Sequence, residues 1–358
     1  MRNINIALAM SFLLVFNAIN ASAQDDDSVA MLLQKGDSCL NIHDNYHAMQ
    51  YYLACANSDS TNVTAHRKLA LCYRNMGNSK ACIESLARIP EDSISHEDAR
   101  MYYYSFSGLN ANDKAALWGE HITKLHPYDS EIVASLSSLY NKMGQPEKAE
   151  RTARRYVADC DSTNLLVNNQ LAYSLFLQQK YEEATTQYEK LITLGQDNYT
   201  SNFVLGLCYD CTSNADKAQE HLAKAITFDN ENSYCLYRLA MTEAALFMDS
   251  LAMVHFNRSI ETAMPKTRAL RIFRKLASLH YEHHQYADAA RSFEQCIAYS
   301  EHDNLLDYYN AAQMLIAAGD KDKASMYLQI FISKAENAQD EETKKLITTA
   351  RKQLDKDK

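Results

Sequence analysis

An all-α solenoid is the fold class this sequence predicts, and three observations predict it. Chain breakers are scarce: 8 glycines and 4 prolines in 358 residues suit a long run of helices. An alanine recurs as Ala48, Ala81, Ala115, Ala149, Ala184, Ala218, Ala252, Ala289 and Ala324, at steps of 33, 34, 34, 35, 34, 34, 37 and 35 residues. Its neighbours keep phase. Tyr52, Leu86, Tyr188, Leu222, Phe256, Phe293 and Leu328 follow by four or five residues, and Leu69, Leu136, Leu171, Leu205, Leu239 and Leu276 precede by 12 or 13. A fixed period of this size marks a stack of supersecondary units, none of which can bury its apolar face alone.

The unit is clearest in residues 199–232. Leu205, Gly206 and Tyr209 lie one turn apart on a first helix, and Ala218, Leu222 and Ala225 share a face of a second. The polar run 210–216 supplies the turn and the second helix's N-terminus. Ala218 is small where two helices cross closely, and Gly206 suits a similar approach at a propensity cost of roughly 1 kcal/mol. A helix–turn–helix unit with a period near 34 resembles the tetratricopeptide-repeat family over roughly residues 29–335. That resemblance implies a right-handed α-solenoid of about nine repeats, with the first helix of each hairpin lining a concave groove.

Residues 1–23 are set apart: Arg2, an apolar stretch over 4–15, then Ala21-Ser22-Ala23 before Gln24. This predicts a cleavable signal peptide, the alternative being an N-terminal anchor. Export to a bacterial periplasm follows, with no membrane span in the mature chain. The first repeat is expected at 29–62, with helices over 29–41 and 45–57; the second spans 63–90 and the third 95–127. The third diverges: Tyr102, Tyr103 and Tyr104 crowd its first helix, Gly119 stands where others carry a large residue, and Trp118 is expected to fill the space beside it. The fourth, 130–163, returns to type, with Pro146 in the first turn of its second helix, where a missing N–H costs little. Later repeats begin near 165, 199 and 233. The 37-residue step predicts about three extra residues around 261–268, beside Pro265, and the last two repeats end near 302 and 335. One continuous solenoid over 24–335 is expected, because no Gly/Ser- or Pro-rich linker interrupts it. Residues 336–358 are charged, with Leu346, Ile347, Ala350 and Leu354 on one stripe, as a polar capping helix requires.

No catalytic constellation, cofactor motif or metal site is expected. G-x-S-x-G, G-x-G-x-x-G and phosphate-loop patterns are absent. His96-Glu97 starts like a zinc-protease helix, but Arg100 stands where the second histidine belongs. His43 with His47, and the cluster His280, His283 and His284, are weighed as transition-metal ligands against plain surface histidines, and the plain reading is preferred. Nine cysteines leave at least one unpaired. Cys72 and Cys82 are the disulfide pair to test, and Cys208-x-x-Cys211 has redox spacing without a thioredoxin-like context. Most cysteines read as small buried apolar residues. The net charge of −9 argues against general nucleic-acid binding. Asp27-Ser28-Val29, Asp59-Ser60-Thr61, Asp92-Ser93-Ile94, Asp161-Ser162-Thr163 and Asp249-Ser250-Leu251, all expected in turns, resemble a bacterial O-glycosylation acceptor; helix capping is the plain alternative.

The resemblance carries groove positions onto this chain: Asn169, Gln170 and Tyr173 in the fifth repeat, Phe203 in the sixth, Tyr234, Tyr237 and Arg238 in the seventh. The eighth adds Arg271, Arg274, Lys275 and Tyr281, and the ninth Tyr309 and Asn310. Aromatic, Arg and Asn side chains are suited to holding a peptide backbone. The set loosely resembles the carboxylate clamp of some tetratricopeptide-repeat domains, with the residue types in a different order. The implied function is a non-enzymatic protein–protein interaction scaffold of the cell envelope, binding a partner protein or peptide in the groove. Alternatives are an assembly factor for an envelope complex, a metal- or thiol-dependent protein, and a glycan binder. Inter-repeat packing by the tyrosines and a solvated basic face is the structural alternative.

Overall fold

A computed structural model describes residues 29–262, 265–300 and 304–356; the expected signal peptide at 1–23 and the Asp27-Ser28 motif lie outside them. Among the described residues there are nineteen α-helices and no strand. In chain order they are α1 (Val29–Asn41), α2 (Asn45–Ser58), α3 (Val63–Asn75), α4 (Ser79–Leu86), α5 (His96–Gly108), α6 (Asn112–Leu125), α7 (Ser130–Lys142), α8 (Pro146–Asp159) and α9 (Leu165–Leu177). There follow α10 (Tyr181–Thr193), α11 (Tyr199–Cys211), α12 (Ala215–Phe228), α13 (Ser233–Ala245), α14 (Asp249–Glu261), α15 (Lys266–Glu282), α16 (Tyr286–Tyr299), α17 (Leu305–Ala318), α18 (Lys321–Ala335) and α19 (Glu341–Lys356). The chain divides into two compact units between Gln179 and Lys180, each with its own apolar clusters. No described helix is long and apolar enough to cross a membrane.

Local chemistry fixes where the helices start and stop. First helices open on short polar caps: the side chains of Asn62, Asp129, Asn164, Asn198 and Asn232 each accept the backbone N–H three residues on. Ser95 and Asp98 close a full capping box on α5. Each first helix then ends in a left-handed residue, at His43, Gly77, Asn110, Gly144, Gln179, Ser213, Phe247, His284 and Gly319. Paired bonds such as Gly77 N–H to Arg74 O and Asn78 N–H to Tyr73 O satisfy the last carbonyls and turn the chain back. Six of these nine residues are not glycine. Phe247 has little packing to set against the strain, since its side chain is 90% exposed and a left-handed L-residue costs about 1–2 kcal/mol. Phe247→Gly should therefore stabilise the protein by about 0.5–1 kcal/mol after the added entropy of the unfolded glycine. A raised thermal midpoint checks this.

The core of most hairpins rests on size complementarity. A small residue on the first helix faces a large one on the second: a Cβ on Gly36 would stand 2.5 Å from Tyr52, and one on Gly206 would stand 2.7 Å from Leu222 Cγ and 3.2 Å from its backbone nitrogen. Ala240 and Phe256, both fully buried, continue the pattern in one cluster. The third hairpin reverses it. Tyr103 occupies the small position and Gly119 the large one, and a Cβ on Gly119 would meet Leu136 at 2.8 Å and Tyr103 at 3.1 Å. Trp118 does not fill this space as the sequence suggested; it stacks on Tyr102 at 4.2 Å, while Leu136 and Tyr103 close over Gly119.

Two further expectations are revised. In the second repeat the buried crossing residue is Cys82, at 0% exposure, and Ala81 is half-buried beside it. The extra residues before the eighth repeat are not only loop. α15 has 17 residues where most first helices have 13, so it gains about a turn at its N-terminus, and residues 263–264 of the expected insertion lie outside the described ones. At the chain's end, α19 sets Ile347 and Ala350 into a cluster with Tyr308, Leu328, Phe331 and Ala335, while Leu346 and Leu354 lean on its edge.

Candidate functional site

The first helices of the second unit bring several of the expected residues together. Tyr199 and Phe203 lie one turn apart on α11 and stack at 5.4 Å; Phe203 meets Tyr234 of α13 edge-on at 5.9 Å; and Tyr234 stacks on Tyr237 at 6.3 Å. The Arg268 guanidinium of α15 lies over the Tyr234 ring at 4.5 Å, within cation–π range. All four rings are half-buried, so each is anchored on one side and open on the other. Tyr199 and Arg268 were not among the expected residues. The signal for Tyr199 was its i, i+4 spacing to Phe203. Arg268 sits on the added turn of α15, in a stretch that reads as a loop.

The basic side chains divide into two kinds. Arg238 pairs with Asp210 of the preceding first helix, and Arg274 with Asp307 of the following one at 2.9 Å. Burial works against the Arg238 charge, but Asp210 more than offsets it and holds the guanidinium pKa above its ordinary value. Asp307 is nearly fully buried, so Arg274 is part of the scaffold. Arg271 and Lys275, on either side of it, make no ion pair among the described residues. Together with Arg268 they follow i, i+3, i+7 spacing, which places all three on one side of α15. Arg274→Glu should therefore cost about 2 kcal/mol or more by setting a carboxylate against buried Asp307, whereas Arg271→Glu should stay within about 0.5 kcal/mol. Urea midpoints of the two variants test the split.

The other expected residues are more scattered. Tyr281 is exposed near the end of α15 with its ring 6.0 Å from Tyr286. Tyr309 is half-buried against Phe331 at 5.2 Å, and burial pushes its hydroxyl pKa up; Asn310 follows it on α17. Asn169, Gln170 and Tyr173 lie on α9 in the first unit, where Tyr173 stacks on Phe176 at 6.4 Å.

Most cysteines are taken up by packing, and the clustered histidines by local bonds. All nine cysteines are free thiols, Cys72 and Cys82 included, and both of those are buried. Burial pushes the Cys208 thiol up to about 12, so it carries no thiolate at neutral pH, while Cys211 is exposed. His47 bonds Asp44, His280 bonds Gln285, His283 bonds Asp249 and His284 bonds Tyr286. Among the described residues no group of three or more His, Cys, Asp or Glu side chains could hold a metal ion. In the Asp-Ser-Thr motifs, Asp59 and Asp161 accept from the backbone N–H and hydroxyl of Thr61 and Thr163, which is turn chemistry. Asp249 and Ser250 open helix α14 instead of lying in a loop.

No family model matches the chain, and no curated protein matches it. Solved structures similar to it include a tetratricopeptide repeat protein from Parabacteroides merdae, at 15% identity over 72% of this chain and 98% of that one, with a TM-score of 0.46. Others are MamA from Desulfovibrio magneticus (16% identity, 47% and 94% covered, TM-score 0.44) and pilF of Pseudomonas aeruginosa (16%, 58% and 93%, 0.42). At these values the likeness adds nothing to an assignment that rests on the chain's own repeat. With its period near 34 residues, its capped and left-handed turns in register, and its small-on-large crossing in most hairpins, the chain is built of all-α helix–turn–helix repeats of tetratricopeptide type.

Proposed function

We propose that this protein is a non-enzymatic interaction scaffold whose second unit holds a segment of a partner protein along its first helices. The observation that carries this is the half-buried aromatic ledge Tyr199–Phe203–Tyr234–Tyr237, continued on α15 by Arg268, Arg271 and Lys275. Rigid aromatic rings offer contact area at little entropic cost, and flanking cations supply orientation; Tyr and Arg are enriched at binding hot spots. The residues on α9 are proposed as a separate contact of the first unit. The apolar stretch 4–15 with Ala21-Ser22-Ala23 supports export to the cell envelope of a bacterium, where the partner is to be sought. A native protein whose first residue is Gln24, recovered from the envelope fraction, would fit that placement, and one that retains residues 1–23 and is recovered from the cytosol would overturn it.

The test compares the parent protein with an Arg271→Glu, Lys275→Glu double variant, leaving Arg274 in place because Asp307 depends on it. After both are shown to have the same thermal midpoint, each is used to capture partners from an envelope extract. A single protein held by the parent and lost by the variant supports the ledge. The same protein held equally by both would place the contact elsewhere.

A further inference from the structure

A second surface feature lies in the first unit, on the opposite kind of helix. A cleft of about 530 Å³ opens between α6 and α8, the second helices of the third and fourth hairpins, with Leu136 and Tyr140 of α7 at its floor. That volume falls within the range of about 300–1,000 Å³ typical of ligand pockets. Its shape follows from the reversed hairpin. Where other second helices carry Tyr52, Leu86, Tyr188, Leu222, Phe256 or Leu328, these two carry Gly119 and Ala153, and Leu136 leans onto Gly119 in place of a second-helix side chain.

The cleft is cationic on a chain of net charge −9. Lys124, Lys148, Arg151 and Arg155 line it against two carboxylates, Glu120 and Asp159. Both carboxylates are engaged: Glu120 accepts the Tyr140 hydroxyl, and Asp159 lies 3.9 Å from Arg155. Lys124 and Arg151 make no ion pair among the described residues, and Lys148 stands 5.3 Å over the Tyr140 ring with no carboxylate partner. Tyr128, 76% exposed, and buried Tyr156 add aromatic surface.

The spacing of the cations is close to the repeat of an extended strand. Lys148, Arg151 and Arg155 are three and four residues apart on α8, so they follow one another at about 4.5 and 6 Å along the axis. Alternate side chains of an extended strand repeat every roughly 6.6 Å on one face. We propose that this cleft binds an extended acidic peptide segment of a protein, with carboxylates at alternate positions on the α8 cations and the intervening side chains against Tyr128 and Tyr156. This site is independent of the ledge on the second unit, so either can fail without the other.

Fluorescence anisotropy on the full chain tests it, with a labelled hexapeptide alternating Glu and Val as probe. Expected results are saturable binding at low ionic strength that weakens as salt is added, and a loss of at least about tenfold in affinity for Arg151→Glu, as expected for a close charge contact. A Lys148→Ala, Lys124→Ala variant guards against a folding artefact and should lose affinity in the same direction. Lys80→Glu, at an exposed position of α4, should bind as the parent does. Absence of saturable binding, equal binding by the Arg151 variant, or equal binding of the probe with Gln in place of Glu would overturn the proposal. Displacement of the peptide by an equal concentration of inorganic phosphate would make the cleft a small-anion site and would also overturn it.

Discussion

Replacing Phe256 with alanine is expected to destabilise the second unit by about 3–5 kcal/mol. The ring is fully buried in a cluster with Ala240, Ala252, Ile272, Leu276 and Leu279, and Tyr237 of the ledge packs on it at 6.3 Å. Two costs add. The apolar surface of the ring is no longer removed from water, and the alanine opposite at Ala240 is too short to fill the void. Because repeat stability is a sum of nearest-neighbour terms, the loss should be local. Hydrogen exchange should rise across α13 to α16 and stay unchanged over α1 to α8, with urea unfolding giving the magnitude. Uniform loss of protection along the chain would contradict a nearest-neighbour solenoid. A cost under about 1 kcal/mol would mean that the hairpin collapses onto the cavity instead of keeping its crossing distance.

Arg67→Met is the second large effect, at about 3 kcal/mol, the lower end of the range for stranding a buried charge, because Arg67 itself is partly exposed. Asp98 is wholly buried and receives Arg67 Nε at 2.9 and 2.8 Å, while the Ser95 backbone N–H donates to it at 2.9 Å. Burial alone would raise the carboxyl's pKa, but the Arg67 and Ser95 bonds outweigh it and hold Asp98 below the ordinary carboxylate range. A group whose folded pKa is depressed contributes stability above its unfolded pKa and loses it as pH falls through the folded one. The parent protein should therefore lose this contribution on acidification below the usual carboxylate range. In Arg67→Met burial is opposed by fewer bonds, so protonation relieves the variant, and its deficit against the parent should shrink at acid pH. Urea titrations at neutral and acid pH measure this directly. A deficit independent of pH would mean that the arginine acts through its stem and not its charge.

The period, the helix pairs and most helix ends were legible in the sequence because they depend on local chemistry: Asn and Asp caps, turn residues in register, and small crossing residues. What was not legible depends on partners a repeat away. Ala81 and Cys82 are adjacent and both small, so only the helix's rotation shows that Cys82 is buried. Arg238 and Arg274 look like ligand contacts until Asp210 and Asp307, 28 and 33 residues distant, are seen beside them. The turn added to α15 reads as a loop because Pro265 precedes it, and a proline there serves as well to start a helix. The cleft was not legible either, because its cations come from the second helices and its space from small residues at positions where other repeats carry bulk.

The exchange of Tyr103 and Gly119 also bears on how such a chain can grow or be rebuilt. Most hairpins carry the same small-on-large crossing and could be duplicated, deleted or swapped with their seams intact. The third cannot, because its glycine is closed by Leu136 of the next hairpin as well as by its own tyrosine. Moved elsewhere, it would bring a gap that only that neighbour fills, and the hairpin following any ordinary repeat would present Leu136 to a bulky side chain. The third and fourth hairpins thus form one heritable block within an otherwise modular array, and the cleft between their second helices travels with it.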